Sequence, residues 1–212
     1  MYKRQFLDSF QALDILSLQG VTIGAFGLDR AFLCNGANLC YKKELFNALD
    51  GFNDHLEIAS GDDVFFLQKV VQSERFSAAY LKSFEAIVSS TAEPNWKALL
   101  EQRKRWAAKT SSYRQAFSKL VALVVFSMNT LLIILLVLAL TNLFSWKYFA
   151  YFFLVKFIFD LFLIVKTASF FKQFKTLTWY PMSSLVYPFF SMFVALSSML
   201  TSYQWKGRTF KK

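Results

Sequence analysis

A pentapeptide near the middle of the chain has the residue types that bind sugars and phosphates. Residues 102–106 read QRKRW. On a helix that turns about 100° per residue, Gln102, Arg105, Trp106 and Lys109 share one face. The indole offers a platform for a sugar ring, the guanidinium offers paired donors to phosphate oxygens, and the amide can donate and accept. This face therefore suits a sugar or a pyrophosphate.

The same spacing also fits a helix that lies on a membrane surface. In this interpretation Trp96, Leu99 and Trp106 face lipid. The cations Arg103, Lys104 and Lys109 then lie near anionic headgroups. The spacing alone leaves both interpretations open.

Two adjacent carboxylates form the second group with chemical potential. Asp62 and Asp63 follow Ser60-Gly61, a sequence that predicts a helix start with Ser60 as N-cap. Carboxylates in a first helical turn are often present only because they stabilise the helix dipole. Two neighbouring carboxylates also make a plausible general base, because their repulsion raises the pKa of one of them.

The chain carries an ordered series of short motifs: Asn35-Gly36-Ala37-Asn38, Asp50-Gly51-Phe52, Asp62-Asp63, QRKRW, apolar segments, and a final Trp-Lys-Gly-Arg. This order resembles the membrane-bound family 2 glycosyltransferases, the inverting group that includes cellulose, chitin and hyaluronan synthases. The resemblance implies that Asp63 is the catalytic base and that Asp62 orients it. It also implies that Gln102, Arg105 and Trp106 line the acceptor and diphosphate region. Asn38 is a further candidate for the sugar pocket, or a residue that only holds the Asn-Gly turn.

One family motif is absent from the sequence. Members carry an Asp-x-Asp that holds a divalent metal and the nucleotide sugar, and no Asp-x-Asp occurs in these 212 residues. The resemblance therefore implies Mg²⁺ or Mn²⁺ in a complete enzyme, with ligands outside this chain. We expect a missing N-terminal half or a partner chain to supply the donor site, and the chain alone to be inactive.

Composition divides the chain into a polar part and an apolar part. Hydrophobic residues make up 55% of it, with 26 phenylalanines, and they concentrate after residue 119. We therefore predict a partial catalytic domain over 1–118, membrane helices over 119–205 and a basic tail over 206–212. The predicted spans, of about twenty residues each, cover 120–140, 148–168 and 179–201.

Polar features inside the apolar part leave its topology open. Lys156 and Asp160 lie four residues apart in the second span, where they can pair on one helical face. Pro181 and Pro188 interrupt the third span, so that it either crosses, kinks or re-enters. Three crossings would place the basic tail opposite the catalytic part, against the positive-inside rule.

The polar part is predicted to be an α/β domain that is partly GT-A-like. Phe6, Phe10, Leu13 and Leu16 recur at helical spacing and predict an amphipathic first helix that packs on a sheet. A short helix is predicted over 42–49, and short strands over 31–34, 38–41, 76–81 and 86–90.

Charge and cysteine content indicate the cellular environment of the protein. The net charge is +10, and many of the cations lie beside the membrane. This placement favours anionic lipid headgroups and a diphosphate over nucleic acid. Two cysteines, Cys34 and Cys40, form neither a disulfide framework nor a metal-ligand pattern, which fits a reducing cytosolic side. We predict an integral protein of the cell membrane whose catalytic part faces the cytoplasm.

Two functions follow from these observations. The first is an inverting hexosyltransferase that passes a sugar from a nucleotide sugar to a lipid-linked or saccharide acceptor, in polysaccharide biosynthesis. The alternative is a non-catalytic membrane anchor or assembly subunit, which the missing donor motif favours.

Overall fold

The computed structural model describes residues 2–53, 61–113, 115–200, 203–205 and 208–210. These residues form seven α-helices and a short β-hairpin, with 3₁₀ segments at Gly36–Asn38, Lys109–Ser112 and Phe174–Trp179. The helices are α1 (Tyr2–Gly27), α2 (Lys43–Ala48), α3 (Asp62–Gln72), α4 (Trp96–Ala108), α5 (Ala116–Leu140), α6 (Trp146–Phe170) and α7 (Tyr180–Leu200). The strands β1 (Tyr203–Trp205) and β2 (Arg208–Phe210) pair antiparallel.

The predicted α/β, GT-A-like domain is wrong for the described part of the chain. Residues 31–34, 38–41, 76–81 and 86–90 form no sheet there, and the only described ladder is the β1–β2 hairpin. A strand needs a neighbour for its N–H and C=O groups. The Asn35-Gly36 dipeptide enters a 3₁₀ turn, in which the Asn35 side chain accepts a hydrogen bond from the Ala37 N–H at 3.0 Å. A two-residue hairpin turn, which would pair the flanking segments, is therefore not formed.

The first helix is amphipathic, as its apolar spacing predicts. Phe10, Leu13 and Leu16 are buried. The helix packs on other helices and not on a sheet, since Leu13 contacts Ile164 of α6 and Tyr180 of α7. At Gly20 a Cβ atom would lie 2.7 Å from the Thr167 Oγ1 atom. Side chains of α6 therefore lie directly against the backbone of α1 at this glycine.

The short predicted helix near residue 45 is confirmed, with its end at a left-handed turn. α2 covers Lys43–Ala48, and Gly51 has a φ of +53°. Glycine carries no Cβ, so it takes this conformation without strain. Lys69 of α3 fixes the turn, because its ammonium donates to the carbonyls of Leu49 and Gly51 at 3.2 Å and 2.9 Å.

Three helices of the apolar part are long and apolar enough to span a membrane. They are Ala116–Leu140, Trp146–Phe170 and Phe174–Leu200, in agreement with the predicted number. Lys156 and Asp160 form the predicted ion pair on α6. Each charge is partly neutralised by its neighbour one turn away, which lowers the cost of placing both in an apolar segment.

A hydrophobic core joins the polar part to the last apolar helix. Leu7 and Phe10 of α1, Leu99 of α4, and Phe190 and Val194 of α7 pack together. α4 thus lies against α7, and the backbone of β1 lies beside α4 as well. The chain therefore leaves α7 next to the helix that carries QRKRW.

This arrangement predicts the side of the membrane on which residues 203–210 lie. We expect them on the same side as α4, because a helix with Lys97, Glu101 and Lys104 stays in water or headgroups. A cysteine at position 209 and one at Lys43, each in a background without Cys34 and Cys40, can be labelled in sealed vesicles with a membrane-impermeant maleimide. Labelling of the two positions from opposite sides would show that the third apolar segment crosses completely.

Candidate functional site

The two adjacent carboxylates occupy different environments at the start of α3. Asp62 is exposed and Asp63 is half-buried. One carboxylate oxygen of Asp63, Oδ2, accepts a hydrogen bond from the Gly36 N–H at 2.7 Å, and Oδ1 accepts from the Val64 N–H at 2.8 Å. The predicted N-cap Ser60 lies outside the described residues, and Gly61 occupies the cap position with a φ of +114°. Asp63 is therefore fixed between the helix start and the 36–38 turn.

Lys109 brings the QRKRW region to this carboxylate. A Cβ atom at Gly61 would lie 2.8 Å from the Lys109 Cδ atom, so the lysine chain passes directly over the glycine backbone. Burial lowers the pKa of Lys109, and the nearby negative charge of Asp63 opposes this shift. Arg105 also lowers the pKa of Lys109 through charge repulsion. Asp63, Lys109 and Arg105 therefore form one electrostatic group.

Cys34 and Tyr113 complete the surroundings of Asp63. Burial, together with the charge of Asp63, raises the pKa of the Cys34 thiol to about 12 and raises the pKa of Tyr113 as well. Tyr113 packs against Val64 and Phe65 in a small apolar cluster. Both side chains therefore stay protonated near neutral pH, so neither of them serves as a base beside Asp63.

The difference between the two cysteines predicts selective alkylation. Only a thiolate reacts readily, and the raised pKa of Cys34 leaves almost none at pH 8. Cys40 is exposed. We expect iodoacetamide to modify Cys40 while Cys34 reacts only after unfolding, as mass spectrometry of tryptic peptides can show. Equal rates in the folded protein would contradict this environment for Cys34.

The QRKRW helix turns part of its motif towards the protein interior. α4 is capped by Asn95, whose side chain accepts from the Ala98 N–H at 2.9 Å. The Gln102 amide donates to the Glu93 carboxylate at 2.5 Å, and its oxygen accepts a hydrogen bond from Arg103. Gln102 is thus held by two protein partners.

Arg103 forms a buried ion pair that the sequence did not indicate. Its Nε atom lies 2.6 Å from the Asp14 Oδ2 atom, and both side chains are buried. Tyr187 of α7 lies near the Asp14 carboxylate. The Arg103 guanidinium also lies 4.3 Å from the Trp106 ring centre, a distance typical of a cation–π contact. The sequence feature that could have indicated this pair is Asp14, a charged residue beside the apolar stripe of α1.

The predicted site residues therefore fall into two groups. Asp63 with its neighbour Asp62, and Arg105 with Lys109, lie around the start of α3. Gln102 and Trp106 are joined to Arg103. Asn38 ends the turn that binds Asp63, and its amide donates to the Ala86 carbonyl at 2.6 Å. Tyr113 was not predicted as a site residue, and Lys109 was predicted only as a member of the helix face that suits a sugar or a pyrophosphate.

No metal site is formed by the described residues. In ranges 2–53, 61–113 and 115–200, no three histidine, cysteine, aspartate or glutamate side chains lie close enough to hold an ion. The expectation that Mg²⁺ or Mn²⁺ is bound by residues outside this set stays a prediction.

Comparison with known families identifies the class of protein. The family model described as glycosyl transferase family group 2 matches residues 3–205. Because the match covers nearly the whole sequence, the chain belongs to this family. No curated protein and no solved structure gave a significant match. The resemblance drawn from the ordered motifs is thus confirmed, and three candidate spans fit a membrane protein.

Proposed function

We propose that this chain carries out the acceptor side of an inverting sugar transfer at a membrane. The donor is a nucleotide sugar, and the acceptor is a lipid-linked or saccharide hydroxyl. The observation that carries the proposal is the position of Asp63. It is fixed by the Gly36 N–H, lies at a helix start, and has Lys109 of the QRKRW region beside it.

In the proposed reaction Asp63 accepts the proton of the acceptor hydroxyl while that oxygen attacks the anomeric carbon. The bond from that carbon to the diphosphate breaks on the opposite face, and the electron pair leaves with the diphosphate. Arg105 and Lys109 supply positive charge near the reacting groups. Trp106 offers its ring face to the acceptor sugar. Gln102 helps to hold the acceptor or the leaving group, and Asp62 orients Asp63.

The apolar helices support a membrane setting for this reaction. We infer that the protein lies in the cell membrane and that its catalytic part faces the cytoplasm, the compartment in which nucleotide sugars are made. A divalent cation bound outside the described residues would neutralise the leaving diphosphate. Polysaccharide biosynthesis is the process that such a reaction serves.

The proposal is tested with the full coding region expressed in membranes. A panel of nucleotide sugars is supplied, and release of nucleoside diphosphate is compared between the wild type and Asp63→Asn. We expect release with at least one donor and little release with the variant. Turnover that is equal in both would show that Asp63 is not the base. Turnover that is absent from both while a partner chain co-purifies would support the alternative of a non-catalytic anchor or assembly subunit.

Trp106 distinguishes sugar stacking from membrane burial. Trp106→Phe keeps an aromatic ring but offers less area to a sugar and to Arg103. We expect acceptor KM to rise several-fold, with little change in membrane association. Unchanged acceptor kinetics together with easier extraction by detergent would show that the ring serves the membrane interface.

A further inference from the structure

The end of α6 contacts a loop from the polar part of the chain. The Lys172 ammonium lies 3.8 Å from the Phe84 ring centre, and the Lys82 ammonium lies 5.4 Å from the Phe170 ring centre. Phe170 is the last residue of a helix that is long and apolar enough to span a membrane. Residues 81–88, here called the boundary loop, therefore lie where the hydrocarbon meets water.

The boundary loop exposes large apolar side chains. Leu81 is 76% exposed, Val88 is 56% exposed and Phe84 is 48% exposed. Leu28 is exposed at the same end of the molecule, since it follows α1, and Phe26 of α1 contacts Tyr80 with ring centres 5.8 Å apart. Single exposed apolar residues are ordinary, but a group next to a membrane-spanning helix matches the lipid interface.

The charges around the boundary loop are mainly positive. Lys82, Lys172 and Lys175 lie in the loop or directly after α6. Glu85 is the acidic residue of the loop, and its carboxylate accepts a hydrogen bond from the Ser83 hydroxyl. Apolar side chains mixed with lysines complement a surface of anionic headgroups.

Hydrogen bonds connect the boundary loop to the candidate base. The Ala86 carbonyl accepts from the Asn38 amide at 2.6 Å. Asn38 closes the 3₁₀ turn that begins at Gly36, and the Gly36 N–H donates to Asp63 at 2.7 Å. A shift of the boundary loop is therefore transmitted to Asp63 through these two hydrogen bonds and the 3₁₀ turn between them.

We propose that the boundary loop and Lys172 form a contact surface for anionic lipid headgroups, and that this contact holds the turn that positions Asp63. The lipid contact depends on the membrane location of the protein. The effect of that contact on Asp63 rests on the proposed function and extends it. Neither readout below requires sugar transfer.

The lipid contact is tested with an environment-sensitive fluorophore on a cysteine at position 81, in a background without Cys34 and Cys40. The protein is placed in nanodiscs of phosphatidylcholine with or without phosphatidylglycerol, and lipid-borne nitroxides quench the probe. A probe at Lys43, exposed on α2, is the matched control. We expect strong quenching at 81 in anionic discs and little at 43. Equal quenching at both positions, or at 81 in both lipids, would overturn the proposal.

The lysines and the link to Asp63 are tested separately. Each removal, Lys82→Gln or Lys172→Gln, is expected to lower the ratio of lipid-contacting to water-exposed probe by about fivefold. Lys42→Gln, at the exposed residue before α2, is expected to leave the ratio unchanged. In the unmodified chain, hydrogen exchange at the Gly36 amide should accelerate several-fold in uncharged discs. Exchange that is independent of the lipid would refute the link. Normal lipid contact without Asp63-dependent transfer would instead refute only the catalytic proposal.

Discussion

Replacement of Asp63 by asparagine is expected to reduce sugar transfer by about 10²–10⁴-fold, the range that a general base commonly contributes. Asparagine keeps the shape of the side chain, and its oxygen can still accept from the Gly36 N–H, but the amide cannot take the acceptor proton. Donor binding and folding should stay nearly unchanged. The measurement is kcat with a saturating acceptor, for the enzyme expressed from the full coding region.

Asp62→Asn is the matched control for this loss. Asp62 lies one residue earlier in the same helical turn, but its side chain is exposed. We expect a much smaller decrease, since the neighbouring charge only tunes Asp63. An inactive Asp62→Asn variant beside an active Asp63→Asn variant would show that Asp62 is the base.

Removal of Arg103 is expected to give the largest loss of stability. Arg103→Met leaves the Asp14 carboxylate buried without its cation, which commonly costs about 3–5 kcal/mol. The loss should appear as a lower unfolding temperature in detergent micelles. Paired replacement, Asp14→Leu with Arg103→Met, should recover much of it, because no buried charge then remains.

Lys104→Met provides the comparison for Arg103. Lys104 pairs with Glu101 one turn away at 2.5 Å, and Glu101 is partly exposed. Pairs of this kind contribute about 0–1 kcal/mol. If Arg103→Met destabilises no more than Lys104→Met, the Asp14–Arg103 pair does not hold α1 and α4 together.

Local features of the fold were accessible from the sequence. The helix start at Asp62-Asp63, the short helix before Asp50-Gly51 and the Lys156–Asp160 pair each depend on neighbours within a few residues. Capping, left-handed glycine and spacing of four residues determine such features. The three apolar helices were accessible for the same reason, because length and composition define them.

The absence of a sheet in the described polar part was not accessible from the sequence. Segments such as 31–34 and 86–90 have the residues of strands, but a strand also needs a paired neighbour, which a local pattern does not specify. The Asn35-Gly36 dipeptide fits a turn between two extended segments, and the Asn35 side chain instead closes a 3₁₀ turn.

The residues of the candidate site also divide into those that the sequence motifs indicate and those that only the packing of helices brings together. The ordered motifs selected Asp63 and the QRKRW helix from sequence alone. The contact of Lys109 with Gly61 and the buried Asp14–Arg103 pair join residues that are 48 and 89 positions apart. Only the packing of α1, α3 and α4 brings these residues together, so no spacing rule could find them.

The anomeric configuration of the product tests the central claim most directly. A single displacement, in which Asp63 activates the acceptor hydroxyl, inverts the anomeric carbon. The wild-type membranes are supplied with an α-linked nucleotide sugar, and the new linkage is assigned from the proton coupling constant at the anomeric position. The proposed reaction predicts a β-linked product that is lost in Asp63→Asn. An α-linked product from the same donor would contradict it.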